Sequence, residues 1–179
     1  MNSWLMVIDM QPGFADPASP WATPGVDSCQ RNIRALLPQF ENRVLFTRFV
    51  PPAAPRGAWV PYYDQWSFAR DAQNAWMWEL VPEWQGQPAV TGHRFAKWQE
   101  ARAHIPQDAT VVMCGVATDC CVLGTAIEAA DEGRFIRLVT DACAAGTEAL
   151  HGAALDVMRD RAPMIALTDT ATEFTRHTV

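Results

Sequence analysis

Short apolar runs alternate with helical patterns along the whole chain, and this alternation most constrains the fold. The runs are Trp4–Ile8, Val44–Phe46, Ala89–Val90, 110–116, Phe135–Val139 and Met164–Leu167. Each reads as a strand too apolar to leave one face in water, as expected when helices cover both faces of a sheet. Between them, Ile33, Leu36, Leu37 and Phe40 mark one helical face. Leu150, Ala153, Ala154, Val157 and Met158 mark another, and a weaker pattern is limited by Pro106. Thr23 reads as the N-cap of the first long helix, with Pro24 at its first helical position. Strands separated by helices require right-handed crossovers, which make a parallel sheet. The expected fold is α/β: a three-layer α/β/α sandwich around a mostly parallel, Rossmann-like sheet. It forms a single domain over residues 1–179.

The stretch from Val50 to Pro88 interrupts the rhythm and is too long for an ordinary connection, which marks it as functional. It is rich in proline and carries Trp59, Tyr62, Tyr63, Trp66, Phe68, Trp76, Trp78 and Trp84. Those side chains read either as a satellite core or oligomer contact, or as an aromatic wall of a substrate pocket.

In an open parallel sheet, ligands bind beyond the carboxyl ends of the strands. The residues at those ends are Asp9, Arg48, the Gly92-His93 region, the 115–121 turn and Asp141. The segment from Val111 to Val122 is the most informative of these. Its apolar run ends at Gly115, and a helical pattern starts at Thr118, so Cys121 falls in the first turn of a helix. Unpaired N–H groups and the positive end of the helix favour a thiolate there and can hold an oxyanion. Cys121 is therefore the candidate nucleophile, and Cys120, on another face, is read as structural. Asp9 ends a buried strand, where a carboxylate is costly unless paired or functional; it is the candidate general acid and base. Asp141 is read as tying down the turn into the last helix, and His151 as a surface or satisfied histidine. Lys97 is the single lysine of the chain.

Composition excludes several classes. A net charge of −6 argues against nucleic acid as the main partner. No apolar run is long enough to span a bilayer, and no basic N-terminal region precedes the first strand. The five cysteines show no framework spacing, so reduced thiols and a cytoplasmic location are expected. With no CxxC and four scattered histidines, no metal is expected.

Taken together, these segments resemble the isochorismatase-like cysteine hydrolase superfamily, which includes nicotinamidases and carbamoyl-amide hydrolases. Three stretches carry the likeness: Val7-Ile8-Asp9-Met10-Gln11-Pro12-Gly13-Phe14, the run from Gly115 to Ala126, and Val139-Thr140-Asp141-Ala142-Cys143-Ala144-Ala145 with the helix after it. The resemblance implies an Asp-Lys-Cys triad, with Asp9 as acid and base and Cys121 as nucleophile. It also implies a cis peptide at Val116-Ala117 and an oxyanion site made by the N–H groups of Ala117 and Cys121.

Two positions depart from the family pattern. The lysine register falls on Gly92 and the serine of that motif on Ala96, leaving Lys97 or His93 as the candidate third member. The Asp-x-His metal pair of nicotinamidases is replaced by Thr47-Arg48-Phe49, which implies a metal-independent member needing no cofactor. Arg48 is a candidate carboxylate-binding group, with a structural ion pair as its alternative. Phe14, Trp59 and Tyr63 are further candidate substrate contacts.

The expected activity is thioester-mediated hydrolysis of a small amide, carbamoyl or ureido compound, acting on a C–N bond that is not a peptide bond. The alternatives are isochorismate-type vinyl-ether hydrolysis and a binding or assembly protein on the same fold. A redox sensor built on Cys120 and Cys121 is a weaker third. The expected partner is a small-molecule substrate, with neither nucleic acid nor membrane, and a homo-oligomer is expected.

Overall fold

The computed structural model describes residues 2–177. Its six strands are β1 (Ser3–Ile8), β2 (Val44–Phe49), β3 (Ala89–Gly92), β4 (Thr110–Val116), β5 (Ile136–Ala144) and β6 (Ile165–Thr168). They form one sheet in the order β3-β2-β1-β4-β5-β6, with every neighbouring pair parallel. The helices are α1 (Pro12–Ala15), α2 (Val26–Phe40), α3 (Trp59–Gln65), α4 (Trp98–Ala101), α5 (Leu123–Asp131), α6 (Glu148–Arg159) and α7 (Thr170–His177). On one side of the sheet α2 packs with α7; on the other α5 packs with α4 and α6. This is the three-layer α/β/α arrangement that the alternating pattern predicts. No helix among the described residues is long and apolar enough to cross a membrane.

The central strands are buried on both faces. Leu5, Met6, Val7 and Ile8 of β1 are fully buried, as are Val111, Val112, Met113 and Cys114 of β4. The chain returns to the middle of the sheet after β3, so β1 and β4 lie side by side and the crossovers leave them in opposite directions. Such a switch point opens a crevice at the carboxyl ends of the two strands. Ile8 pairs with Gly115 there, which brings the residues after β1 beside the turn after β4. Gly115 is required at that contact: its φ is +113°, and a Cβ would lie 2.2 Å from the Ile8 carbonyl oxygen.

Local boundaries differ from the sequence expectation in two places. The first long helix starts at Val26, with Gly25 at φ +81° before it, instead of at Pro24. Thr23 and Pro24 form the preceding turn, in which the Thr23 amide donates to the Phe14 carbonyl at 2.8 Å. The β5 strand runs on to Ala144, with its register against β4 shifted between Met113 and Gly115. Asp141 lies in the displaced stretch, where its Oδ1 accepts from both Thr170 N and Thr170 Oγ1 at 2.9 Å. It ties β5 to the start of α7, not to the turn into the helix at 148–159 that its sequence position suggests.

Candidate active site

Asp9 follows β1 directly and adopts φ +47°, a left-handed conformation that aspartate tolerates better than most residues. Its carboxylate is fully buried yet paired at both oxygens. Oδ1 accepts from Thr47 Oγ1 at 2.6 Å, and Oδ2 accepts from Lys97 Nζ at 2.8 Å. Thr47 sits on the neighbouring strand β2 and also accepts from the Asp9 amide at 3.2 Å. The Lys97 ammonium is likewise fully buried, and it donates further to the Arg94 and Phe95 carbonyls at 2.7 and 2.8 Å. Burial alone would lower the lysine, but Asp9 and the nearby thiols outweigh it and raise it, so the ammonium keeps its charge.

Lys97 lies on the loop before α4 and reaches Asp9 because residue 92 has no side chain. A Cβ on Gly92 would fall 2.7 Å from Lys97 Cδ. The cation is thus delivered from five residues beyond the family register, through the space that a side chain at 92 would fill. The loop is held from the other side by Thr125, whose Oγ1 accepts from the Lys97 amide at 2.9 Å and donates to the Cys121 carbonyl at 2.6 Å.

The Val116-Ala117 peptide is cis. Residues Thr118–Val122 form a π-turn, with the Val122 amide donating to the Ala117 carbonyl at 3.1 Å, and α5 continues from it. Cys121 sits in this turn and is buried, on the wall of a cavity of about 380 Å³. Its contact with the Cys120 sulfur, followed by burial, pushes the Cys121 thiol well above the ordinary range; Lys97 opposes this and Asp9 adds to it. The helix start favours a thiolate, whereas the contact with Cys120 and then burial act against one at Cys121; the same contact lowers the Cys120 thiol. Cys120 lines the same cavity instead of turning away, since the π-turn brings two consecutive residues to one side.

The cavity is lined by Phe14, Trp21, Phe49, Tyr62, Trp66 and Phe95, together with the 117–121 turn, residues 20–23 and Gly146. Tyr62 lines the same cavity as Cys120 and Cys121, and burial, then the two cysteines, pushes its hydroxyl up to about 12. The 50–88 stretch is divided between a second core and the lining of the cavity. Tyr63, Ala69, Met77 and Trp78 build a second core with Phe49, while Tyr62 and Trp66 face the cavity.

Of the candidate substrate contacts, only Phe14 lines the cavity. Trp59 stacks on Tyr63 behind it and meets Phe95 edge-on, while Tyr63 is buried in the second core. Arg48 points elsewhere, forming an ion pair with Glu79 and donating to Thr91 Oγ1 at 3.1 Å, so its structural alternative holds. His93 is exposed, with Nδ1 2.7 Å from the Val50 carbonyl, and is not part of the Asp9 cluster. His151 is satisfied by Thr118 Oγ1 at 2.9 Å. Sequence reasoning missed Thr47, Thr125, Trp21 and Gln11. The fully buried Gln11 spans Phe49 N, Phe49 O and Trp78 O at 2.7, 2.9 and 2.6 Å. Only its place two residues after Asp9 marked it.

Comparison with known proteins agrees with this architecture. A cysteine hydrolase from Pseudomonas syringae pv. phaseolicola 1448A superposes with a TM-score of 0.83 at 17% identity, covering 99% of this chain and 92% of that one. N-carbamoylsarcosine amidase from Thermoplasma acidophilum superposes with a TM-score of 0.71 at 20% identity, covering 95% and 97%. In sequence, the Isochorismatase domain-containing protein 2 of Xenopus laevis is 28% identical over 71 residues, 40% of this chain and only 35% of that protein's length. The Isochorismatase domain family matches residues 3–172. With residues 3–172 matched, the protein belongs to the Isochorismatase domain family, and it shares its fold with these solved structures.

Proposed function

We propose that the chain is a metal-independent cysteine hydrolase of a small amide, carbamoyl or ureido compound. The observation that carries this reading is the fully buried Asp9–Lys97 pair, whose charges both act on the Cys121 thiol at the wall of a cavity of about 380 Å³. Lys97 has three ammonium protons and three acceptors, so it holds Asp9 charged and leaves no donor for substrate. Asp9 keeps spare lone pairs on both oxygens and can receive a proton.

In the proposed reaction Asp9 takes the proton of the Cys121 thiol as Sγ attacks the substrate carbonyl carbon. The N–H groups of Ala117 and Cys121 hold the resulting oxyanion. The C–N bond breaks, and Asp9 returns the proton to the leaving nitrogen. Water then gives a proton to Asp9 as it attacks the thioester. The C–S bond breaks, the acid leaves, and the thiol is restored. A raised resting thiol suits this sequence, because base and nucleophile exchange the proton within the reaction. Vinyl-ether hydrolysis of isochorismate fits less well: that substrate carries carboxylates, and no lysine, arginine or histidine lines the cavity.

The test is acid-quench mass spectrometry during turnover of an amide series. An acyl adduct on the Cys121 peptide, and its loss with turnover in Cys121→Ala, is the expected result. Undiminished turnover by Cys121→Ala overturns the proposal.

A further inference from the structure

The cavity that holds Cys121 has a distinctive charge balance. Its walls are six aromatic side chains, and its single ionised lining residue is Asp119. That carboxylate is half-buried, and among the described residues its one side-chain hydrogen bond is a long one, 3.4 Å from the Gly146 amide. Among the described residues no cationic side chain forms an ion pair with it. Lys97 is spent on Asp9 and two carbonyls, and Arg48 is paired with Glu79. Asp119 also stands in the first turn of the helix that carries Cys121, where it offsets the partial positive charge that would otherwise draw an anion.

Aromatic faces around an unpaired carboxylate match one kind of ligand. Ring faces carry negative electrostatic potential and attract an ammonium, and the carboxylate supplies its counter-charge. An anionic ligand would meet repulsion from Asp119, with no lysine, arginine or histidine among the described lining residues to offset it. A cavity of about 380 Å³ accommodates one ring and a short substituent.

We infer that the preferred substrate is a small cationic amide: a ring-sized apolar body whose protonated amine faces Asp119 while its carbonyl lies at Cys121. This deepens the amide-hydrolase reading and rests on it. It separates this site from one made for carboxylate-bearing amides.

Three probes of matched shape test the inference: benzamide, 4-(aminomethyl)benzamide and 4-carbamoylbenzoate. Binding is read first, by quenching of tryptophan fluorescence in Cys121→Ala, which removes the chemistry; turnover by the unaltered protein is read second. The cationic probe should bind at least about tenfold more tightly than the anionic one. Asp119→Asn should bring that ratio close to one, and Asp119→Glu, which keeps the charge, should retain the preference even if overall affinity falls. An anionic or neutral probe that binds as well as the cationic one overturns the inference. So does a ratio unmoved by Asp119→Asn, or failure of all three probes to bind at millimolar concentration. If binding is cation-selective but no probe is hydrolysed, the charge preference stands and the amide-hydrolase reading fails, so the two failures are distinguishable.

Discussion

Lys97 illustrates how one side chain fixes the state of a site. Its ammonium has no access to water, and its charge exists because Asp9 is 2.8 Å away. Removing one partner of such a pair leaves the other buried and uncompensated, which costs about 3–5 kcal/mol. Lys97→Met should therefore lower the unfolding free energy measured in urea by an amount of that size, while Asp9→Asn combined with Lys97→Met should recover most of the loss with no return of activity. Equal stability of the single and double variants would show that the pair is not coupled. Gly92 makes the complementary case by having nothing to contribute but space. Gly92→Ala places a methyl against Lys97 Cδ, in the middle of a stem held at its far end by three hydrogen bonds. The cation must shift by a fraction of an ångström, and kcat should fall roughly 10- to 100-fold with KM little changed. Steady-state kinetics on a turned-over amide, with a melting curve as control, checks this.

At the scale of elements, the 50–88 segment owes its position to contacts from the β1 end. Gln11 ties Phe49 to Trp78, and the Trp78 ring lies over Gly13, where a Cβ would fall 2.6 Å from it. Trp78 Nε1 in turn donates to the Ala69 carbonyl at 2.9 Å. Gln11→Leu fills similar volume but leaves the Phe49 amide and the Trp78 carbonyl without their partner. The expected cost is about 1–3 kcal/mol, accompanied by faster hydrogen exchange across 59–78 and a weaker near-ultraviolet tryptophan signal. Unchanged exchange in that window would mean that the second core holds the segment without Gln11. The wall of the cavity would then be independent of the residues after β1. Tyr62, on α3, and Trp66, just after it, reach the cavity, whereas Tyr63 is buried in the second core and Trp59 lies between Tyr63 and Phe95.

Across the whole molecule, the buried thiols set a limit on alkaline stability. Burial pushes Cys29 from the ordinary value near 9 up to about 12, and pushes Cys114 and Cys143 up as well. A thiol whose value is raised by folding holds its proton more tightly in the folded chain. Its contribution is fully present below the unfolded value and is lost as pH rises towards the folded one. Denaturation curves should be flat up to about pH 8.5 and then fall by roughly 1.4 kcal/mol per pH unit for each such thiol. For Cys29 that window runs from 9 to about 12. Cys29→Ala should reduce the slope; a flat profile to pH 11 would contradict the burial. The order of strands and helices was legible in the sequence, because a doubly covered sheet demands continuous apolar runs and amphipathic connections in alternation. Asp9 and Cys121 were legible for the same reason, since each stands where such a run must end. The partner of Asp9 was not. Neither periodicity nor register distinguishes Lys97 from His93, and the choice depends on an empty volume above Gly92 that exists only once β3, the loop before α4 and α5 are packed together. The lining of the cavity was likewise decided by tertiary packing. Which aromatic rings of a long irregular segment turn inward depends on contacts with residues far away in the chain. Sequence thus determined where chemistry can occur, through local hydrophobic patterning, whereas charge, reach and shape at that place came from long-range neighbours that no local pattern encodes.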